Sequence, residues 1–321
     1  MNTMKIYLKN HPSDAGHWIY NHGYYNAWKS AGYEAALYDK LSDIKDEGNY
    51  AVMCVDGDIR SQEDIGVINR AEKAWMYAQP TRYPGKWGKH PNFVTFYGSA
   101  DRAYLMRTCE KLKLWTFLSG QVDNLFSEWG RTVYSLPLAF DDSGYMPLVD
   151  TSPAAAKKYS YDVAYIGGRA NNGFDEKIRV MESTFDAFRK EGITNLGFFI
   201  NANLSKRDEA NILYHSKIAL NVHDVFQREF GYDTNERTFK ALGLSGILYS
   251  DDITQIATMF DHGINRSVYL DSDPVSLAKE AHHWLKNTSE TSVAAMKHSM
   301  RTYILNNHTY VNRVNSLLRM V

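Results

Sequence analysis

Three short polar stretches each follow an apolar run and carry side chains able to accept or donate a proton. The first is Asn10-His11-Pro12-Ser13-Asp14-Ala15-Gly16-His17, with two imidazoles and one carboxylate. The second is Asp56-Gly57-Asp58 and the third Ser99-Ala100-Asp101-Arg102. Carboxylates at Asp-x-Asp spacing also form the pattern that holds Mn²⁺ or Mg²⁺ against a diphosphate. Each aspartate has a plainer reading as a turn or cap residue. His11, His17 and His22 lie six and five residues apart. That spacing misses the three- or four-residue repeat of one α-helix face, so no zinc site is expected. Between Arg82 and Lys113 seven cations stand against two carboxylates, with Tyr83, Trp87, Phe93, Phe96, Tyr97 and Tyr104 interleaved. Such a mixture can hold a phosphate backbone and stack a base or a sugar ring; it can equally be a solvated face beside core aromatics. Residues 1–150 carry 16 Lys and Arg against 18 Asp and Glu, so any basic patch is local.

These residues need elements to position them. Apolar runs predict strands over 5–9, 34–38, 50–55 and 93–97, with a helix over 16–32 ending at glycine and another over 63–77. Residues 80–91, with three prolines and two glycines, predict a loop. The second half alternates more regularly. Strands are predicted over 161–166, 195–200, 218–222, 246–249 and 267–270. Helices are predicted over 175–190, 206–216, 234–242, 274–286, 289–305 and 309–320. Strands alternating with helices imply parallel sheets covered on both faces. Residues 141–158, rich in Gly, Pro and Ala, read as a linker, and no internal repeat is visible.

Composition narrows the classes. The chain has 321 residues, enough for about two domains. Lys and Arg number 36 against 37 Asp and Glu, which gives no global basic surface for nucleic acid. With 44% hydrophobic residues, dominant disorder is excluded. Cys54 and Cys109 are too few for a disulfide framework or a cysteine-based zinc site. A reducing cytoplasm is expected. No stretch approaches the roughly 20 apolar residues of a spanning helix, and the N-terminus reads as a strand rather than a signal peptide.

Four motifs carry a resemblance when taken in order. Tyr161-Asp162-Val163-Ala164-Tyr165-Ile166-Gly167-Gly168-Arg169 is a strand entering a double glycine. Tyr214–His223 is a helix end entering a strand that stops at polar residues. Thr234-Asn235-Glu236-Arg237-Thr238-Phe239-Lys240-Ala241-Leu242-Gly243-Leu244-Ser245-Gly246 precedes the run 247–251, and His308–Val314 closes the set. Together they resemble the spore-maturation CgeB-like glycosyltransferases and, more distantly, the DNA β-glucosyltransferase of T-even phages, over about residues 158–315.

The resemblance implies an α/β protein of the GT-B class. Two facing Rossmann-like lobes with parallel sheets would enclose a cleft. The first, acceptor-side lobe would be residues 1–145, with 306–321 crossing back onto it. The linker would be 146–158 and the donor-binding lobe 159–305. Donor contacts are then expected from Gly167, Gly168, Arg169, Asn221, His223, Asn235, Glu236, Arg237 and Lys240. Glycine N–H groups approach phosphates closely, and a guanidinium at a helix start can fork onto two phosphate oxygens. The family carries Glu where this chain has Lys240. Lys cannot accept from ribose hydroxyls. Lys240 would hold a phosphate instead, or Glu236 or Glu229 would hold the ribose. Asp14 and His17, then Asp56, are the expected acceptor-deprotonating groups. Arg82, Tyr83, Trp87, Lys89 and Asp101 are the expected acceptor contacts.

The expected function is transfer of a sugar from a nucleotide sugar, UDP-linked, to a hydroxyl of a glycan. Alternatives are modification of 5-hydroxymethylpyrimidine in DNA, a catalytically silent nucleotide-sugar binding module, and an epimerase on the same fold. No cofactor is expected beyond the donor, and a divalent metal is not expected as a fixed ligand.

Overall fold

The computed structural model describes residues 4–11, 16–45, 49–55, 57–78, 99–120, 122–168, 176–260 and 267–320. The chain divides into two compact units, Met1–Pro137 with Tyr310–Val321, and Leu138–Thr309.

Among the described residues of the first unit, six strands form one parallel sheet. They are β1 (Lys5–Lys9), β2 (Glu34–Tyr38), β3 (Tyr50–Val55), β4 (Lys73–Tyr77), β5 (Leu112–Thr116) and β6 (Val133–Ser135), in the order β2-β1-β3-β4-β5-β6. β3 is apolar and almost wholly buried, as a strand covered on both faces must be. The single helix expected over 63–77 is instead a helix, Gln62–Arg70, followed by β4. Ser61 caps that helix by accepting from the Asp64 N–H. The short run Ala74-Trp75-Met76-Tyr77 suits helix or strand by pattern alone; pairing on both sides, with β3 and β5, decides it. The strand expected over 93–97 and the loop over 80–91 lie outside the described residues.

The helix Tyr310–Arg319 belongs to the first unit. Trp75 Nε1 donates to the Leu317 carbonyl at 2.9 Å, and Arg313 Nε donates to the Pro137 carbonyl at 2.7 Å. A Cβ on Gly23 would lie 2.5 Å from the Tyr310 ring, so the missing side chain is what admits it.

In the second unit, β7 (Val163–Gly167), β8 (Leu196–Ile200), β9 (Ile218–Asn221), β10 (Leu248–Ser250) and β11 (Val268–Leu270) form a parallel sheet in the order β11-β10-β9-β7-β8. Its core gathers Val163, Tyr165, Phe185, Phe188, Leu220 and Trp284. The stretch read as a linker is helical in part, over Asp142–Tyr145, Met146–Leu148 and Pro153–Tyr159. Its prolines sit in first turns, where a missing N–H costs nothing. Asn211 ties it to the unit by donating to the Leu148 carbonyl and accepting from the Asp150 N–H.

Candidate functional site

A sheet that winds outward in both directions leaves a crevice at the carboxyl ends of the strands where the winding reverses. In the second unit that point lies between β7 and β9. Gly167 ends β7 and Asn221 ends β9. The helix Glu236–Leu244 starts beside them, capped by Asn235, whose side chain accepts from the Thr238 N–H. Its second residue is Arg237.

The Arg237 guanidinium is fixed from three directions. Nη1 donates to Asn221 Oδ1 at 2.9 Å and to the Val222 carbonyl at 3.4 Å. The group also lies 5.1 Å from the centroid of the Tyr165 ring. A Cβ on Gly167 would come within 2.5 Å of Nη2 and 2.9 Å of the Tyr165 hydroxyl. Gly167 therefore leaves the space the guanidinium fills. Gly168 follows directly after β7.

A buried polar network stands behind Arg237. Asn221 Nδ2 donates to Asn235 Oδ1 and to Thr238 Oγ1, each at 3.0 Å. His223 is fully buried and places Nδ1 2.6 Å from Asp251 Oδ1 and Nε2 2.8 Å from Thr234 Oγ1. Thr234 and Thr238 share a 2.7 Å hydrogen bond. Burial works against ionisation of Asp251, but the ring and N–H of His223, with Arg228, outweigh it and hold the carboxyl below its usual range. A satisfied network of this kind keeps its members in one geometry.

Lys177, near the start of the helix Glu176–Lys190, adds a second cation and pairs with Asp224 at 2.6 Å. Burial lowers its pKa; Asp224 opposes that and Arg237 adds to it. Burial also pushes Asp233 up to about 7, against the Gln227 amide that donates to it and with the help of Asp224.

Glu236 and Lys240 lie on the same helix but join another cluster. Lys240 Nζ is 2.5 Å from Glu209 Oε1, and both side chains are mostly buried. The Tyr145 hydroxyl donates to Glu209 Oε2 at 3.0 Å. Burial disfavours the Lys240 ammonium, yet Glu209 and Glu236 raise its pKa overall. Burial raises the Glu236 carboxyl above its usual range.

Of the expected donor residues, the structure brings Gly167, Asn221, His223, Asn235 and Arg237 together. Arg169, Asp14, Asp56, Arg82, Tyr83, Trp87 and Lys89 lie outside the described residues. Asp101 falls in the helix Ser99–Thr108. Asp58 is engaged as a turn residue: it accepts from the Val55 N–H at 3.1 Å and the Tyr38 hydroxyl at 2.8 Å, and it pairs with Lys9 at 2.9 Å. His17 sets Nδ1 2.8 Å from the His11 carbonyl and Nε2 3.1 Å from His22 Nε2. His17 and His22 are thus together, against the expectation from their spacing. The reason is a π-helix over His17–Tyr24, in which the Tyr25 N–H reaches the Tyr20 carbonyl five residues back. Among the described residues, no three His, Cys, Asp or Glu side chains converge as a metal-binding group. None of the described helices is long and apolar enough to cross a membrane.

Lys177, Thr234, Thr238 and Asp251 were not expected from sequence. Asp251 had a signal, since it lies two residues after the strand predicted over 246–249. Lys177, one of many helix-face lysines, had none.

Residues 154–319 match the model of a family described as glycosyl transferase-like. No curated protein sequence matches the chain. Solved structures of similar fold include Anabaena Alr3699/HepE in complex with UDP and glucose, at 9% identity over 98% of both chains, with a TM-score of 0.56. Another is an alpha-glucosyltransferase in complex with UDP and a 13-mer DNA containing a HMU base, at 11% identity over 98% of both chains and a TM-score of 0.57. A third is AviGT4, a glycosyltransferase involved in Avilamycin A biosynthesis, at 11% identity over 98% of this chain and 96% of that one, with a TM-score of 0.55. The fold is that of the GT-B glycosyltransferases, with two parallel-sheet α/β units.

Proposed function

This chain belongs to the glycosyl transferase-like family, and on that premise we propose that it transfers a sugar from a UDP-linked donor to an acceptor hydroxyl. The observation that carries the reading is the fixed Arg237 guanidinium beside Gly167 at the winding point of the second sheet. A diphosphate leaving group gains negative charge as the glycosidic bond breaks. A cation already held in place stabilises that charge without reorganising. Arg237 supplies the positive charge, and the start of the helix Glu236–Leu244 adds its dipole. Gly168 and Arg169 complete the phosphate contacts in this reading. Asn221, His223 and Asn235 orient them, and Glu236 is the carboxylate available to the ribose. Lys240, paired with Glu209, is not assigned to phosphate.

The base is assigned to Asp14 or Asp56 rather than His17, both of whose ring nitrogens already face partners. A glycan is the favoured acceptor, following the resemblance to the CgeB-like family. The second reading is 5-hydroxymethylpyrimidine in DNA. It is supported by the basic–aromatic stretch from Arg82 to Lys113 and by the DNA complex of one structural neighbour. The reaction is assigned to the cytoplasm, with no fixed metal at the donor.

Thermal shift against a panel of nucleotide sugars tests the donor reading. A ligand at 100 times its Kd adds about 2.7 kcal/mol of stability. A UDP-sugar should raise the wild-type melting temperature and leave Arg237→Ala unmoved. An equal shift in both proteins, or no shift in the wild type, defeats the assignment. Transfer assays on glycans and on hydroxymethylated DNA then separate the acceptors. Donor binding without transfer to either points to the silent module.

A further inference from the structure

On the reading of Arg237 as the diphosphate anchor, we propose that Asp251 sets the orientation of its guanidinium through a one-way chain of hydrogen bonds. Asp251, His223, Thr234 and Thr238 are then positioning residues for the donor, none of them touching it.

The two ends of the chain fix every role between them. Arg237 Nη1 only donates, so the Asn221 atom it meets at 2.9 Å is the amide oxygen. Asn221 Nδ2 faces Asn235 Oδ1 at 3.0 Å, and that oxygen already accepts from the Thr238 N–H. The Asn221 amide therefore has one orientation. At the far end, against burial, His223 and Arg228 hold the Asp251 carboxyl below its usual range, so it only accepts. His223 Nδ1, 2.6 Å from Asp251 Oδ1, is the donor. That assigns Nε2 as the bare nitrogen. Asn221 Nδ2, 3.3 Å away, requires the same, since two N–H groups do not point at each other.

The threonine hydroxyls take the roles that remain. Thr234 Oγ1 donates to His223 Nε2 at 2.8 Å, and Thr238 Oγ1 donates to Thr234 Oγ1 at 2.7 Å. Thr238 Oγ1 in turn accepts from Asn221 Nδ2 at 3.0 Å. Every link from Arg237 to Asp251 thus runs in one direction, from cation to anion. Aligned links polarise one another. Asn221, His223, Thr234, Thr238 and Asp251 are all buried, so a reversed link has no bulk water to turn to.

The carboxylate end sets the direction. The His223 N–H donates to Asp251 Oδ2 at 3.0 Å, and Arg228 Nε lies 3.7 Å from the same oxygen. An amide at this position would keep its oxygen toward these two groups and turn its NH₂ to His223 Nδ1. The imidazole proton would move to Nε2, against the Asn221 amide. Asn221 would have to rotate, and with it the oxygen that holds Arg237.

Two measurements on the full chain test this. Long-range ¹⁵N–¹H spectra, with His223 assigned by its loss in His223→Gln, should show the proton on Nδ1 in the wild type and on Nε2 in Asp251→Asn. UDP titrated by calorimetry should bind Asp251→Asn and Thr234→Val about 10-fold or more weakly, as expected when a hydrogen bond to a charged group is lost, while Thr234→Ser retains the wild-type affinity. If Asp251→Asn fails to fold, Thr234→Val and its conservative counterpart decide. A wild-type His223 protonated on Nε2, or UDP binding as tight in the variants as in the wild type, overturns the chain and leaves the donor reading intact. A wild type that binds no UDP defeats the donor reading, and the proposal falls with it.

Discussion

The two units build sheets with the same winding, yet their strand ends hold different chemistry. In both, the first strand of the sheet sits beside the third, and the second lies outside the first. At the second unit's winding point, charge dominates: Arg237, Lys177, Asp224 and Asp251 are interleaved with buried Asn221, His223, Thr234 and Thr238. At the end of β1 in the first unit, imidazoles and aromatic rings dominate, with His11 on Tyr20 and Trp18 on His22. The topology fixes where a site can form. Side chains at the strand ends decide what it binds.

The largest expected effect tests whether Lys240 belongs to its own unit's ion pair. Glu209→Gln leaves a buried ammonium without its nearest partner and should cost roughly 3 kcal/mol in urea unfolding. Lys240→Glu, which introduces the residue the resemblance implies at this position, should cost more, because it would face both Glu209 and Glu236. Adding Glu209→Lys to Lys240→Glu should recover most of the loss. Stability unchanged by Glu209→Gln would release Lys240 for a phosphate role.

Gly167→Ala sharpens the contrast between site and scaffold. The added methyl meets the end of a flexible arginine, so the protein should lose well under about 1–3 kcal/mol, the usual cost of overpacking. The displaced guanidinium should abolish stabilisation by a UDP-sugar. Retained ligand stabilisation would show that Arg237 does not need this position.

A third test is a pH slope. Folded Asp233 keeps its proton up to about pH 7, whereas an unfolded aspartate loses it near about 3.9. Between those values the folded chain holds more protons, so stability falls as pH rises, by at most about 1.4 kcal/mol per pH unit. Asp233→Asn should flatten the urea midpoint between pH 5 and 7.5. Parallel pH profiles for variant and wild type would remove Asp233 from the site's electrostatics. Asp251 acts in a separate window. Its lowered pKa makes it stabilising above the ordinary carboxylate range, and that contribution is lost only as pH falls below it.

Much of the second unit was legible in sequence. β8 and the helix Lys206–His215 fall within a residue of expectation; the helix is marked by the Ser205 cap and by apolar residues at helical spacing. Arg237 and Asn221 were legible through the ordered motifs. β4 was not, since a four-residue apolar run has no period long enough to read. Lys240 stood out in sequence as a departure from the pattern the resemblance implies. Its partner Glu209 lies 31 residues earlier, on another helix.

By itself, the sequence determined the parallel α/β class, the polar strand ends and the run of motifs that marks the family. Those are local properties: each rests on residues near one another in the chain, or on a repeat that burial imposes. Only the tertiary structure decided that Gly167 makes room for Arg237, that Lys240 is neutralised by Glu209, and that a π-helix brings His17 onto His22. Each of these depends on a backbone path or a distant partner. Neither is encoded in the spacing of a few residues.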